Sequence, residues 1–298
     1  TEKQTKDTVV VLSNGPAELS GYTAAATVLA IKDRELETGE YALAQLKDPN
    51  IIIRKLKKNK RISINLIHKG IEESLKQKTC LFNYLQEKCR SNKKAYIMLH
   101  ETGVFETITY RELYMHICQY ARILRRKGIK RGDRCLLLFS QGIEIIESFM
   151  ACNLLGIIAI PLDLPEKSKT LDKWEEIVKD SECKSICTDK KNVEYLRSIF
   201  ENSELLAEVK IYPVEYGEEM YEELQESEIA FLQYTSGSTG MPKGVMVTND
   251  SLLSNLKQLK NTLGFNHDSV FVGWLPYHHD MGLILEMLLG IYNGHKVV

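Results

Sequence analysis

From about residue 78 onward, the sequence alternates short apolar runs with longer, helix-like segments. Cys135–Phe139 is an uninterrupted apolar run, and the apolar segment Ile143–Leu155 is followed directly by Gly156. Ile157–Pro161 is again short and apolar. Continuous apolar runs of this length are typical of parallel strands that are buried on both faces of a sheet. The alternation therefore predicts an α/β fold of mostly parallel sheets covered by helices.

The segments on either side extend this pattern. Ala95–Leu99 and Val104–Ile108 predict a pair of strands. Thr109 and Glu112 have the spacing of a capping box, so we expect a helix to follow Thr109 and to end near Gly128. Farther along, a stripe of leucines predicts a helix that ends at Gly264, with a core role favoured over the lining of a lipid tunnel. These leucines are Leu252, Leu253, Leu256, Leu259 and Leu263.

Charge and hydropathy exclude several classes of protein. The chain has 298 residues, with 39 Lys and Arg against 40 Asp and Glu, which gives a net charge of −1. A general nucleic-acid coat protein needs an excess of positive charge, so we expect no nucleic-acid partner. No apolar run approaches the roughly 18 residues that a membrane-spanning helix requires. We therefore expect no membrane span.

The seven cysteines show no paired Cys-x-x-Cys spacing, and no apolar secretory signal opens the sequence. Both observations favour reduced thiols in a cytoplasmic protein. Cys183 and Cys187 would share one face of a helix, but no second pair of ligands follows at the spacing of a zinc site. A metal site at these cysteines is disfavoured, and the sequence assigns no other metal ligands.

The first 76 residues differ in character from the rest. Val9–Leu12 predicts a strand and Tyr22–Ile31 a helix, while Arg54–Arg61 holds six basic residues among eight. The basic run favours a domain linker over a binding patch. The sequence opens on Thr1 and ends on an apolar run, so we expect a fragment of a longer polypeptide. In this interpretation residues 1–76 are the tail of an upstream domain plus the basic linker, and residues 77–298 begin a second domain.

The segment Thr235–Gly244 is rich in small and hydroxyl-bearing residues and lies between the predicted strands Ile229–Tyr234 and Val245–Thr248. Small residues let backbone N–H groups approach an anion, and hydroxyls donate further hydrogen bonds. Lys243 adds a mobile positive charge. The pattern favours a polyphosphate-binding loop over a flexible linker. The binding candidates are Thr235, Ser236, Gly237, Ser238, Thr239, Gly240, Lys243 and Gly244.

A second segment, Gly273–Ile284, overlaps the end of the predicted strand Val270–Leu275. His279 would then lie beyond the carboxyl end of a strand, where open α/β sheets bind ligands. There it could hydrogen-bond a carboxylate or phosphate oxygen. The alternative is a structural histidine that links loops.

The neighbours of His279 are expected to have supporting roles. His278 would form a pocket wall or support the loop, and Trp274 would belong to the core. Asp280 would cap the helix predicted for Met281–Leu289. Four further histidines show no constellation with other residues; they are His100, His116, His267 and His295.

Both segments resemble signatures of the adenylate-forming superfamily, which includes acyl-CoA synthetases, peptide-synthetase adenylation domains, luciferases and fatty acyl-AMP ligases. Thr235–Gly244 is similar to the phosphate loop of that superfamily. The run from His279 to Leu283 looks like the fatty acyl-AMP ligase branch, although His278 stands where that branch often has an aromatic residue. The resemblance covers roughly residues 78–298 and includes Thr109–Leu113, which is similar to an early Thr-Tyr-x-Glu-Leu segment of the family.

The resemblance implies ATP-dependent activation of a fatty or related carboxylic acid to an acyl-adenylate, with release of pyrophosphate and with Mg²⁺ as cofactor. It implies that Thr235–Lys243 binds the β- and γ-phosphates of ATP and that His279, the candidate catalytic residue, lies near the acyl carboxylate. The acyl group would pass to the phosphopantetheine of an acyl carrier protein in a lipid or polyketide assembly line.

Three alternatives stay open at this point. CoA could be the acceptor, as in acyl-CoA synthetases, or the acid could be an amino acid. In a different class, the chain could be a non-catalytic nucleotide-binding or interaction module that keeps the phosphate loop. The later segments of the family have no counterpart before Val298. We therefore expect that the 298-residue chain does not complete adenylation alone.

Overall fold

The computed structural model describes residues 8–12, 63–67, 79–99, 103, 105–166, 171–221, 223–225, 227–236 and 242–298. The chain divides into two units, residues 1–76 and 77–298. In the first unit, strand β1 (Thr8–Leu12) pairs antiparallel with β2 (Ser63–Ile67). β1 confirms the strand predicted there, whereas the helix predicted over 22–31 and the linker over 54–61 lie outside the described residues. The assignment of residues 1–76 to an upstream domain stays a prediction.

Strands and helices alternate along the second unit. Its strands are β3 (Lys94–Leu99), β4 (Phe105–Thr109), β5 (Arg134–Leu138), β6 (Ile158–Leu162), β7 (Ser185–Thr188), β8 (Lys210–Pro213), β9 (Ile229–Ser236), β10 (Pro242–Thr248), β11 (Val270–Phe271) and β12 (Lys296–Val297). Its α-helices are α1 (Leu81–Lys88), α2 (Tyr110–Arg126), α3 (Ile143–Leu155), α4 (Asp172–Ser181), α5 (Val193–Phe200), α6 (Glu204–Ala207), α7 (Asn249–Leu263) and α8 (Leu289–Asn293). A 3₁₀ turn spans Lys190–Asn192 and a π-helix spans Met281–Leu288. Within the described ranges, we find no helix both long and apolar enough to cross a bilayer.

The larger sheet of the second unit has six strands in the order β10-β9-β6-β5-β7-β8. β5 pairs in parallel with β6 and β7, and β9 pairs in parallel with β6. β10 runs antiparallel to β9. The carboxyl ends of β5, β6, β7 and β9 therefore lie at one edge of the sheet, which we call the carboxyl edge. The predicted α/β fold with mostly parallel strands is confirmed.

Strand β5 is buried on both faces of this sheet. Cys135 and Leu137 pack into one apolar cluster together with residues of α2 and α3. Leu136 and Leu138 pack into a second cluster with residues of α4 and α5. This two-sided burial explains why the sequence of β5 is continuously apolar instead of alternating.

Local features predicted for three helices are also seen in the structure. The Oγ1 atom of Thr109 accepts a hydrogen bond from the backbone N–H of Glu112 at 3.2 Å, and Glu112 Oε2 accepts one from the Thr109 N–H at 2.9 Å. This capping box starts α2. Gly156 ends α3 in the left-handed conformation, with φ of 65°. In α7, Leu252, Leu253 and Leu256 are buried as core residues and Leu259 is partly buried against them. Leu263 is 51% exposed, so the core role predicted for it is wrong.

The smaller sheet has the order β11-β12-β3-β4. Tyrosine hydroxyls from β3 and from the start of α2 bind backbone carbonyls of the π-helix, of α8 and of the residue before β12. The hydroxyl of Tyr110 donates to the carbonyls of Gly290 at 2.8 Å and His295 at 2.6 Å. The hydroxyl of Tyr96 donates to the carbonyl of Met287 at 2.6 Å. A Cβ atom at position 290 would lie 2.8 Å from Val297 Cγ2, so only glycine allows α8 to pack this closely on the sheet.

The histidine His116 makes contacts that the sequence did not indicate. Its Nδ1 lies 2.8 Å from Glu147 Oε1, and the hydroxyl of Tyr216 donates to Glu147 Oε2 at 2.5 Å. The rings of His116 and Tyr216 are 4.3 Å apart. The expectation that His116 has no constellation is therefore wrong. The partners lie on α2, α3 and the loop after β8, far apart in sequence, so no local pattern reveals the cluster.

Tyr216 lies in the loop between β8 and β9, where residues 214–228 include seven glutamates and no lysine or arginine. Glu219 in this loop forms ion pairs with Arg122 at 3.0 Å and with Arg126 at 2.7 Å. The amide of Tyr221 donates to the carbonyl of Cys118 at 2.9 Å. The acidic loop is therefore attached to α2 along several turns of that helix.

We expect replacement of Gly290 by alanine to destabilise the second unit by about 1–3 kcal/mol, because the new methyl group must displace Val297. The helix preference of alanine offsets only part of this cost. Urea denaturation followed by circular dichroism measures the change in the free energy of unfolding. Gly217→Ala is the matched control, because a Cβ atom there meets no atom within 4 Å. Equal stability of the two variants would contradict the packing argument.

We expect His116 to make stability dependent on pH. The hydrogen bond with Glu147 raises the pKa of His116, with a smaller contribution from Glu112, while burial acts in the opposite direction. A raised folded-state pKa stabilises the fold below the unfolded pKa of about 6.5, and this contribution is lost as pH rises through the folded-state value.

The variant His116→Gln should therefore lose more stability relative to wild type near about pH 6 than near about pH 9. Urea titrations at both pH values measure the difference. His267→Gln serves as the control, since that imidazole is exposed and its ion-pair partner among the described residues is the exposed Asp268. A pH-independent difference for His116→Gln would refute this assignment.

Candidate active site

The donor-rich segment connects β9 to β10 at the carboxyl edge. Thr235 lies opposite Lys243, and Ser236 lies opposite Pro242, in the antiparallel register of these strands. The side chains of Thr235 and Lys243 are both exposed. Four predicted phosphate-binding residues lie in the connection, outside the described residues; they are Gly237, Ser238, Thr239 and Gly240. The described ends thus place a hydroxyl and an ammonium group as cross-strand neighbours.

Gly244 has a packing role in this hairpin. It lies opposite Tyr234, and a Cβ atom at Gly244 would come within 2.9 Å of the tyrosine ring. The Tyr234 hydroxyl donates to Asp180 Oδ2 at 2.5 Å. Burial and this carboxylate raise the pKa of Tyr234. Glycine at 244 is therefore needed so that the Tyr234 ring can cross β10 and reach α4.

A hydrogen bond joins the strand that leads into the donor-rich segment to the segment that carries His279. Gln233, two residues before Thr235 on β9, donates from Nε2 to the carbonyl of His278 at 3.2 Å. His278 and His279 follow the Trp-Leu-Pro-Tyr run, and their rings are 4.5 Å apart. The structure thus brings His279 next to the strand that leads into the donor-rich segment.

The segment 272–280, which we call the histidine loop, is held by Glu286 of the π-helix. Glu286 Oε1 accepts a hydrogen bond from the backbone N–H of Leu275 at 3.3 Å. A Cβ atom at Gly273 would lie 2.3 Å from the Glu286 carboxyl. Burial raises the pKa of this carboxyl above its ordinary value. Glu286 therefore supports the backbone of the histidine loop from beneath.

Two expectations about this loop are wrong. The strand predicted over 270–275 is only Val270–Phe271; beyond it, the Gly273 N–H donates to the carbonyl of Val298 at 3.0 Å and the Leu275 N–H donates to Glu286 Oε1 at 3.3 Å. Trp274, expected in the core, is 86% exposed. Side chains alternate in direction along this extended backbone, so Trp274 points away from the face that Gly273 and Leu275 present to the protein.

His279 itself is exposed, while its backbone is fixed. Its N–H donates to the carbonyl of Pro276 at 3.0 Å, and its carbonyl accepts from the N–H of Leu283 at 2.7 Å. Asp280 caps the following helix as predicted, since its Oδ1 accepts from the Met281 N–H at 2.8 Å. Burial and the proximity of His279 lower the pKa of His278. An exposed imidazole on a fixed backbone can hydrogen-bond a carboxylate or phosphate oxygen of a ligand.

No cluster for a metal ion is found in the described ranges, where no group of three or more His, Cys, Asp or Glu side chains could hold one. All seven cysteines are free thiols. Cys187 lies on β7 and Cys183 precedes that strand, so the expectation that they share one helix face is wrong. The sequence between them has too few residues outside the strand to form a helical turn.

Proteins that are similar in sequence to this chain indicate its family. A family described as AMP-binding enzyme matches residues 85–298. JamA of Moorena producens, named a medium-chain fatty acid–acyl carrier protein ligase, is 32% identical over 69% of this chain. FadD28 of Mycobacterium bovis, named a long-chain fatty acid–AMP ligase, is 31% identical over 66% of this chain. The chain spans 36% of the length of each of these two relatives.

A solved structure shows the same arrangement of elements. The crystal structure of a fatty acyl-adenylate ligase from L. pneumophila, in complex with acyl adenylate and pyrophosphate, matches with a TM-score of 0.67 and 33% identity. The match covers 76% of this chain and 40% of that one. Since the family match extends over most of the second unit and includes both candidate segments, the chain belongs to the AMP-binding enzyme family.

Proposed function

We propose that residues 77–298 form the N-terminal portion of a fatty acyl-AMP ligase. The observation that carries the proposal is the hydrogen bond from Gln233 to His278, which joins β9, the strand that leads into the donor-rich segment, to the histidine loop at the carboxyl edge. A nucleoside triphosphate and a carboxylic acid could therefore meet at this edge. The names of JamA and FadD28 support a fatty acid as the carboxylic acid.

The proposed reaction joins the carboxylate of the acid to AMP. A carboxylate oxygen attacks the α-phosphorus of ATP, the bond from that phosphorus to the bridging oxygen breaks, and pyrophosphate leaves with the electron pair. Catalysis then depends mostly on positioning and on neutralising charge. In our proposal the segment from Thr235 to Gly244 holds the β- and γ-phosphates, with Lys243 neutralising charge on the leaving pyrophosphate. His279 donates a hydrogen bond to the acyl carboxylate and orients it.

The residues described here do not form a protein-only site for Mg²⁺, because no acidic cluster of sufficient size is present among them. Mg²⁺ commonly binds through substrate phosphates and few protein carboxylates. We therefore propose that Mg²⁺ enters with ATP, and we assign no step to it. The free state of all seven thiols supports the proposal of a cytoplasmic protein.

The acceptor of the acyl group is proposed to be the phosphopantetheine thiol of an acyl carrier protein. The support is the similarity to JamA, which is named as a carrier-protein ligase. The thiol would attack the acyl carbonyl and release AMP, which gives a thioester. Such a step fits a lipid or polyketide assembly line.

The test is adenylate formation by the complete natural polypeptide that contains residues 1–298. Incubation with ATP, Mg²⁺ and a panel of fatty, aromatic and amino acids should give acyl-AMP from fatty acids, detected by mass spectrometry. Carrier protein and CoA are then offered as competing acceptors, and we expect the carrier-protein thioester to dominate. An adenylate formed from amino acids alone, or none from any acid, would refute the proposal. A dominant acyl-CoA product would refute the acceptor.

We expect Lys243→Ala to lower kcat/KM for ATP by roughly 100-fold, because a charge that stabilises the leaving pyrophosphate is lost. Pyrophosphate exchange driven by a fatty acid measures this effect. Lys130→Ala is the matched control, since Lys130 is exposed in the turn before β5, at the opposite edge of the sheet. Equal activity of both variants would remove Lys243 from the proposed phosphate site.

A further inference from the structure

Gln141 contacts the backbone of the histidine loop on both sides of Pro276. Its Nε2 donates to the carbonyl of Leu275 at 3.1 Å, and its Oε1 accepts from the N–H of Tyr277 at 3.1 Å. One side-chain amide thus pairs with two backbone groups in the way that a neighbouring strand would. Proline has no N–H to donate, so the amide engages the available groups on either side of it.

The backbone that carries Gln141 is itself anchored to the sheet. Gln141 lies just beyond the end of β5, and the preceding N–H, that of Ser140, donates to Asp189 Oδ2 at 3.1 Å. Asp189 follows β7 and is only 4% exposed. The amide of Asn192 bridges Ser140 Oγ at 3.1 Å and Asp189 Oδ2 at 3.0 Å. These contacts fix Gln141 relative to two adjacent parallel strands.

The two hydrogen bonds of Gln141 to the histidine loop, which we call the clamp, lie on either side of Pro276, and Pro276 binds His279. The carbonyl of Pro276, between the two backbone groups that Gln141 engages, accepts the hydrogen bond from the His279 N–H. Gln233 of β9 holds the carbonyl of His278, the residue directly before His279. Two glutamine amides, one just beyond β5 and one on β9, therefore fix the backbone that leads into the candidate catalytic histidine.

We propose that Gln141 is a positioning residue for the acid-binding half of the site. It holds the 275–277 backbone at the carboxyl edge, so that the His279 imidazole stays in place to meet the carboxylate of the substrate. The inference rests on the proposed function, since it takes His279 as the group that contacts the acyl carboxylate. Gln141 itself acts through the backbone and contacts no reacting atom.

The test compares Gln141→Met with Gln86→Met in the complete natural polypeptide. Methionine has nearly the length of glutamine but offers no amide, and Gln86 is an exposed residue of α1. Displacement of His279 should lower kcat/KM for the fatty acid by about 10- to 100-fold in Gln141→Met. The KM for ATP should stay unchanged, and Gln86→Met should match wild type.

A second variant grades the effect. Gln141→Glu keeps an acceptor for the Tyr277 N–H but has no donor for the Leu275 carbonyl at neutral pH. Its loss of kcat/KM for the acid should therefore lie between those of wild type and Gln141→Met. A role in general stability alone would reduce the melting temperature and lower kcat/KM for the fatty acid and for ATP in parallel. That outcome would overturn the proposal.

Amide hydrogen exchange without substrate separates this inference from the proposed function. Peptides covering residues 272–283 should exchange faster in Gln141→Met than in Gln86→Met, while peptides from β5 and α3 stay protected. Unchanged exchange would overturn the clamp. Faster exchange with full use of the acid would overturn its link to His279. If the wild-type polypeptide forms no acyl-adenylate, the proposed function fails, and the exchange rates alone decide whether the clamp exists.

Discussion

The parallel pairing of β5 with β6 and β7 is the constraint on which the rest of the second unit depends. Because the strands run in one direction, the loops that follow them emerge at one edge. The residues that hold the candidate site come from those loops or strand ends: Gln141 follows β5, Asp189 follows β7, and Gln233 lies near the end of β9. A change in strand direction would separate these groups, even if every local contact survived.

The elements that could be predicted from the sequence are those whose signals are local. The capping box at Thr109 and Glu112, the apolar run of β5 and the glycine after α3 each act within a few residues of the chain. The position of Trp274 was not predictable in this way, since tryptophan is usually buried and its exposure depends on which face of an extended loop meets Glu286.

The sequence predicts the residue types of the candidate site, and their roles stay a prediction; it does not predict the side chains that hold the histidine loop. Small residues, hydroxyls and a lysine in one segment indicate phosphate binding, and a histidine after a strand indicates a ligand contact. The glutamine amides that hold the histidine loop lie 45 and more than 130 residues away along the chain, where no spacing rule connects them. Gly244 was predicted as a phosphate-binding residue from its motif, and the sequence did not indicate that it packs against the ring of Tyr234.

The two tryptophans of the chain lie in opposite surroundings: Trp174 is 4% exposed in the second apolar cluster, and Trp274 is 86% exposed on the histidine loop. Their fluorescence should therefore differ in emission wavelength and in quenching by a dissolved quencher such as iodide. Red-shifted, quenchable emission would come from the loop and blue-shifted, protected emission from the core. The protein thus carries one built-in optical reporter for its site and another for its fold.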